Sequence, residues 1–307
     1  GDCFKAKPPL VLTGQEVIGV ENMEHPLLLN YSGIPGWMIL LIIGGGSLGI
    51  FLYQVQKATR LVMVGASDNR FDSWGIRSKE VLSGWLGQKK VLRDKVVGTM
   101  HVMMFWGFLM LGSDMLDLAT ANYFSTKILP ATLLGPWNGM VEFGYFIALI
   151  GCIAAFLRRA VFTPEKLKGK SQLEGNFILF LIFTITSTSF IIESMESPSQ
   201  TWEPIGAWVA GLGFSTTVAI GAYWAHMLAI STFLILIPLS KHMHLVMAFP
   251  NVFFHDTEPM AKMLPMAIYE TGKAVPLEEL EVETFGASEY SQLTWRQLID
   301  GWACTTC

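Results

Sequence analysis

The sequence predicts an all-α transmembrane protein, a five-helix bundle, and three observations predict it. Apolar residues make up 51% of the 307-residue chain and charged residues only 15%, with a positive mean hydropathy, a balance foreign to soluble domains. Five stretches reach the roughly 20 apolar residues that a bilayer crossing needs: residues 35 to 56, 96 to 118, 137 to 157, 175 to 194 and 216 to 240. Basic residues are sorted between the connections, with nine Lys or Arg from Lys57 to Lys95 and five from Arg158 to Lys170, whereas the other two connections hold only Lys127. Because Lys and Arg near spans stay in the cytoplasm, this sorting puts the N-terminus outside and the C-terminus in the cytoplasm. Basic loops that flank membrane spans read as topology signals facing lipid, so no nucleic-acid partner is expected.

Residues 1 to 34, mixed and rich in Pro, Asn and Glu, read as an outside leader on the membrane surface. Trp37 suits the interface at the start of the first span, and Gly44, Gly45 and Gly46 read as a place for close helix approach or a bend. In the connection 57 to 95, Trp74 and Trp85 among Leu and Val predict short helices lying on the inner surface. The second span carries His101, Phe105, Phe108 and Gly112 at i, i+4, i+7 and i+11, a face with a ligand, two aromatic rings and a gap that a flat macrocycle would use. Glu142 lies one turn into the third span, which closes on Arg158 and Arg159. The hydroxyl-rich middle of the fourth span, Thr184 to Ser189, reads first as helix packing through bonds to backbone carbonyls.

The fifth stretch organises the chain, because Thr216 to Pro250 holds three of the six histidines. An ionisable residue inside a bilayer is costly without a partner and is a functional suspect. His226 and His244 are 18 residues apart, five whole turns of a continuous helix, which predicts a shared face; His242 turns away from it. Lys241 and His242 read as a snorkelling anchor and a water-facing residue, or as hydrogen-bonding groups for a bound quinone together with Glu142. Beyond Pro250, taken as the helix end, residues 251 to 293 with their acidic run read as a cytoplasmic linker. Thr294 reads as the N-cap of a short helix that delivers Cys304 and Cys307. Cys152 sits in mid-span and Cys3 is isolated, so the four cysteines form no disulfide framework. A chain that starts without Met and stops on a cysteine reads as a piece of a longer protein.

Histidines on facing helices of a bundle are how helical proteins hold haem or metal. The set His101, His226 and His244 favours haem b over zinc, since it lacks a four-ligand cluster and is flanked by aromatics. Two axial ligands of one iron must share a depth. His101 is about 10 Å in from Arg93 to Lys95, and His244 lies near the same end, with His226 about 27 Å further along. Depth therefore pairs His101 with His244, and a pairing with His226 is the alternative. At the level of His226, His25 becomes available only if the leader folds back, and Met115 is chemically able to ligate.

The second-span His followed by FWGF, and the fifth-span His with IPLSKHMH ending 18 residues later, resemble the di-haem gamma subunit of respiratory nitrate reductase and the membrane domain of heterodisulfide-reductase-like proteins, over about residues 35 to 250. The second helix of that family often carries a histidine for each haem. Here the position ten residues after His101 is Leu111, so a bis-histidine outer haem departs from the pattern. The tail FGASEYSQLTWRQLIDGWACTTC resembles the lead-in to a ferredoxin-type cluster in membrane-anchored iron-sulfur oxidoreductases, where the pair continues as C-x2-C-x3-C-P. The resemblance implies a 4Fe-4S cluster ligated by Cys304 and Cys307 with cysteines beyond them, one or two haems b, and a menaquinone or other quinone as membrane substrate. It implies residence in a bacterial or archaeal cytoplasmic membrane and a donor such as electron-transfer flavoprotein. The division then runs 1–34 leader, 35–250 haem b membrane domain, 251–293 linker and 294–307 start of the iron-sulfur domain. The expected activity is quinone reduction from an iron-sulfur chain through haem. The alternatives are a haem anchor without its own quinone chemistry, and heterodisulfide-reductase-type quinol oxidation. A proton-relaying transporter lacks the internal repeat or paired broken helices it would need.

Overall fold

A computed structural model describes residues 25–124, 130–162, 170–195, 198–257, 267–270, 273–276, 287 and 289–303. The protein is mostly helical, and five of its helices are long and apolar enough to cross a membrane. The chain enters through a hairpin of β1 (Asn30–Tyr31) and β2 (Ile34–Pro35). Its turn places Ser32 and Gly33 at φ 52° and 90°, the paired positive angles that a two-residue hairpin turn demands and that Ser-Gly supplies. Then follow α1 (Gly36–Val62), α2 (Trp74–Glu80), a π turn (Val81–Leu86), α3 (Lys95–Phe124), α4 (Ala131–Val161), α5 (Lys170–Glu193), α6 (Pro204–Ala210), α7 (Thr216–Leu239) and α8 (His244–Phe253). A second hairpin, β3 (Ala267–Glu270) with β4 (Lys273–Pro276), lies inside the stretch expected to be a plain linker, and α9 (Trp295–Ala303) closes the described chain.

The long helices pack in the order α1, α7, α5, α4, α3. Ile178, Leu181 and Ile185 of α5 bury against Ala229, Phe233 and Ile237 of α7, with Phe51 of α1 and Leu111 of α3 resting on them. Small residues bring α3 onto α4: Gly107 lies against Ala148 and the carbonyl of Gly144, and Gly151 faces the carbonyl of Met100. In lipid, where burial adds little drive, such a seam gains dispersion from close backbone approach. The expectation that Gly45 and Gly46 serve this purpose is not met, because nothing lies within 4 Å of a side chain added at either. Outward residues such as Leu41, Ile42 and Phe180 are exposed, as helices apolar all round require when their outer faces meet hydrocarbon.

The fifth span does not run to Pro250 as one helix. At Ser240 the backbone turns extended (φ −132°, ψ 179°), and the Ser240 hydroxyl accepts the amide of His242 at 3.2 Å, starting a 3-10 turn over Lys241–Met243. α8 then begins at His244, and Pro250 lies within it rather than ending it. His226 and His244 therefore belong to different helices, and the shared-face argument from 18-residue spacing fails.

α9 is fastened to this end of the bundle. Thr294 and Gln297 form a reciprocal cap, the Thr294 amide donating to Gln297 Oε1 at 2.9 Å and the Gln297 amide to Thr294 Oγ1 at 3.2 Å. Just before it, the amide of Ala66 donates to Leu293 O at 2.8 Å and the amide of Trp295 to Ala66 O at 3.1 Å, a parallel bridge onto the end of α1. Gly65 makes that approach possible, since a side chain there would start 2.6 Å from the Trp295 nitrogen.

Candidate functional site

Two of the three intramembrane histidines come together. The rings of His101 on α3 and His244 at the head of α8 have centroids 6.4 Å apart and planes inclined by 35°. An imidazole nitrogen sits about 2 Å from a metal it ligates and about 1 Å from its own ring centre. Two imidazoles on opposite sides of one iron thus have centres about 6 Å apart, and this pair fits that requirement. His244 Nδ1 lies 2.9 Å from Lys241 O. A carbonyl only accepts, so Nδ1 carries the proton and Nε2 keeps its lone pair, the tautomer a ligand needs.

The surroundings of the pair are aromatic on two sides. Phe105 meets Trp85 of the π turn at 5.6 Å, and Trp85 meets Phe249 of α8 at 5.3 Å. Phe108 meets Phe233 of α7 at 6.1 Å. On the same face of α3, Gly112 has nothing within 4 Å of an added side chain and Phe108 is 40% exposed. Gly112 lies about 16 Å along α3 from His101, so this open stretch is not beside the histidine pair.

His242 does not face water. The break at Ser240 turns it inward, half-buried, with its ring 5.9 Å from that of His244 and Nδ1 2.9 Å from the Ser240 hydroxyl. Lys241, partly buried, supplies the carbonyl that orients His244.

His226 is buried two helical turns before Phe233. Its Nδ1 is 3.1 Å from Ile185 O and 2.9 Å from Thr188 Oγ1. The carbonyl requires a proton on Nδ1, and the Thr188 hydroxyl, donating its own hydrogen to Thr184 O at 2.6 Å, accepts as well. Nε2 of His226 is thereby left with its lone pair. Thr188, which sequence reading assigns to packing, is an orienting partner, and only the structure reveals it. Leu111, on the helix that would face His226, packs into the apolar clusters instead. The described end of the leader reaches α7: the His25 ring stands 5.4 Å from that of Tyr223, one turn before His226. Its Nδ1, however, accepts the Leu27 amide at 3.3 Å, and the side chains around Met115 lie outside the described residues.

Glu142 is not brought to the histidine cluster. It is buried at the opposite end of the bundle, where its carboxylate accepts the amide of Gly206 at 2.5 Å and so caps the start of α6. Cys304 and Cys307 lie outside the described residues, but the segment leading to them does not. Trp302 and Ala303, the last two residues before Cys304, pack on a cluster of Ala58, Met243 and Met247. Met243 directly precedes His244.

Comparison with known proteins finds two relatives. The chain is 29% identical over 287 residues to the probable iron-sulfur-binding oxidoreductase FadF of Bacillus subtilis, a match covering 88% of this chain and 38% of that protein. It is 25% identical over 317 residues to the EtfAB:quinone oxidoreductase of Syntrophomonas wolfei, covering 92% and 41%. These homologues are of the kind the sequence resembles, and the chain spans about two fifths of their length. No family model and no solved structure matches the chain.

Proposed function

We propose that this chain is the membrane part of a quinone oxidoreductase that carries electrons between an iron-sulfur cluster and a quinone through haem b. The observation that carries the proposal is the packing of Trp302 and Ala303 on the cluster of Ala58, Met243 and Met247. It sets the residues entering the cysteine pair one side-chain layer from His244, on the same end of the bundle as His101. A one-electron relay needs its centres close, and this contact supports that reading.

In this proposal His101 and His244 hold the haem, which with two axial imidazoles supplies one-electron chemistry. Lys241 O fixes the tautomer of His244, and Trp85 meets Phe105 and Phe249 edge to face on the same helices as His101 and His244. Cys304 and Cys307 begin the ligand set of a 4Fe-4S cluster. Residues 35–250 form the haem domain, 251–293 a connector containing the β3–β4 hairpin, and 294–307 the start of the iron-sulfur domain. The basic connections 57–95 and 158–170 put this end of the bundle in the cytoplasm of a bacterial or archaeal cell. Quinone, as in the name of the Syntrophomonas wolfei relative, is the membrane substrate, menaquinone by family resemblance, and electron-transfer flavoprotein is the proposed donor. His242 and Lys241, beside the haem ligand at the break in the fifth span, are the proposed contacts to the quinone head group. Glu142, engaged with α6 at the other end, has no part in that contact.

The full-length protein supplied with reduced electron-transfer flavoprotein is expected to reduce a menaquinone analogue. His242→Ala and Lys241→Ala are expected to slow quinone turnover by about tenfold while leaving reduction of the haem by dithionite unchanged. Full turnover in both variants, or turnover without any haem in the preparation, overturns the proposal.

A further inference from the structure

We propose that Arg77 and Arg296 act as a paired clamp that fixes the distance between the iron-sulfur segment and the haem, and are positioning residues for electron transfer. The inference rests on the function proposed above. Arg77, on the short helix α2, is among the described residues the largest side chain that is almost wholly inaccessible, 1% exposed. A buried guanidinium costs several kcal/mol unless its donors are satisfied. Arg77 satisfies them across 176 residues of sequence: Nη1 donates to Phe253 O at 2.9 Å and to His255 O at 2.8 Å, Nε to Asp72 O at 2.8 Å, and Nη2 to the Asp72 carboxylate at 2.7 Å. Arg296, on α9, takes the carbonyl between those two, its Nε donating to Phe254 O at 2.8 Å, while its Nη1 reaches Asp300 at 2.6 Å. Asp300 in turn accepts from Asn251 of α8 at 2.6 Å.

Three consecutive carbonyls at the end of α8 are thus held from two sides by two arginines on separate elements. Aromatic rings repeat the pattern, with Phe71 and Trp295 both on Phe254 and Trp74 on Phe253. The geometry gives this clamp leverage. α8 and α9 meet at Phe254 and Arg296, and at the other end of the pair His244 adjoins the Met243 and Met247 on which Ala303 packs. Ten residues separate clamp and histidine, about 15 Å at 1.5 Å per residue. A tilt of about 5° at the clamp moves the far end of that lever by about 1 Å, and electron transfer slows as its centres separate. The step concerned moves one electron from the reduced cluster to ferric haem iron, oxidising the one and reducing the other, with no bond made and no proton moved.

The test uses the full-length protein, with Arg77→Ala, Arg77→Lys and Arg296→Gln. Haem content and low-spin spectrum, cluster content by electron paramagnetic resonance, amide exchange of residues 250–256 and 293–303, and the rate of haem reduction through the cluster by reduced flavin are measured on each. The expected result is intact haem and cluster, faster exchange in both segments, and haem reduction slowed several-fold in Arg77→Ala, with partial recovery in Arg77→Lys. Should Arg77→Ala fail to accumulate, Arg296→Gln carries the same expectation. Wild-type reduction rates in variants that retain both centres overturn the clamp and leave the proposed function standing. Absence of haem or cluster from the wild type overturns the proposed function itself.

Discussion

His226 holds its Nδ1 proton against Ile185 O and Thr188 and has Leu111 rather than a histidine on the facing helix. A haem bound there has one histidine ligand and is expected in addition to the bis-histidine haem of His101 and His244, with a spectrum distinct from it. Wild type should carry two haems per chain and His226→Ala one; a ratio of one in both removes the second site. Asp72 answers a different question at the same scale. Its hydrogen bond from Arg77 holds the carboxyl below the ordinary carboxylate range, so the stabilisation is complete above the ordinary pKa of about 4. It is lost as pH falls through the lower folded value. Asp72→Asn should show raised amide exchange around residues 250–256 already at neutral pH and no further rise across that acid window. A variant that retains the wild-type pH response points to another carboxylate. Neither partner of these residues is legible in the sequence. Thr188 is one hydroxyl among many on its helix, and Arg77 is one cation in a connection where each Lys and Arg already reads as a topology signal.

At the scale of elements, α9 binds the bundle through its first residues as much as through its apolar face. Gly65 allows the Trp295 backbone to pass at a distance no side chain would permit, so Gly65→Ala forces a backbone shift at a cost of about 1–3 kcal/mol. Exchange of the 293–303 amides should rise with the spans unaffected; unchanged exchange means the bridge between Ala66 and Leu293 bends without cost. The spans themselves are legible because apolar length is a direct requirement of the bilayer. The α9 cap is legible because Thr294 and Gln297 sit at the spacing of a reciprocal cap. The break at Ser240 is not, since a serine within an apolar run is compatible with a continuing helix, and it changes where His242 points and which helix presents His244. The close seam of α3 and α4 escapes notice for a related reason. Gly107, Gly144 and Gly151 lie on two helices, and only their packing shows that they face one another.

Taken as a whole, the molecule joins a bundle to a helix leading into a cysteine pair, with the aromatic and arginine contacts of α8 between them. The central claim is that His101 and His244 are axial ligands of one haem b at the junction. The measurement that tests it most directly is the optical and electron paramagnetic resonance spectrum of the purified full-length protein, wild type beside His101→Ala and His244→Ala. The account predicts a low-spin bis-imidazole haem in wild type that is absent from each variant, with cluster signals retained in both. A low-spin signal that survives unchanged in both single variants contradicts it.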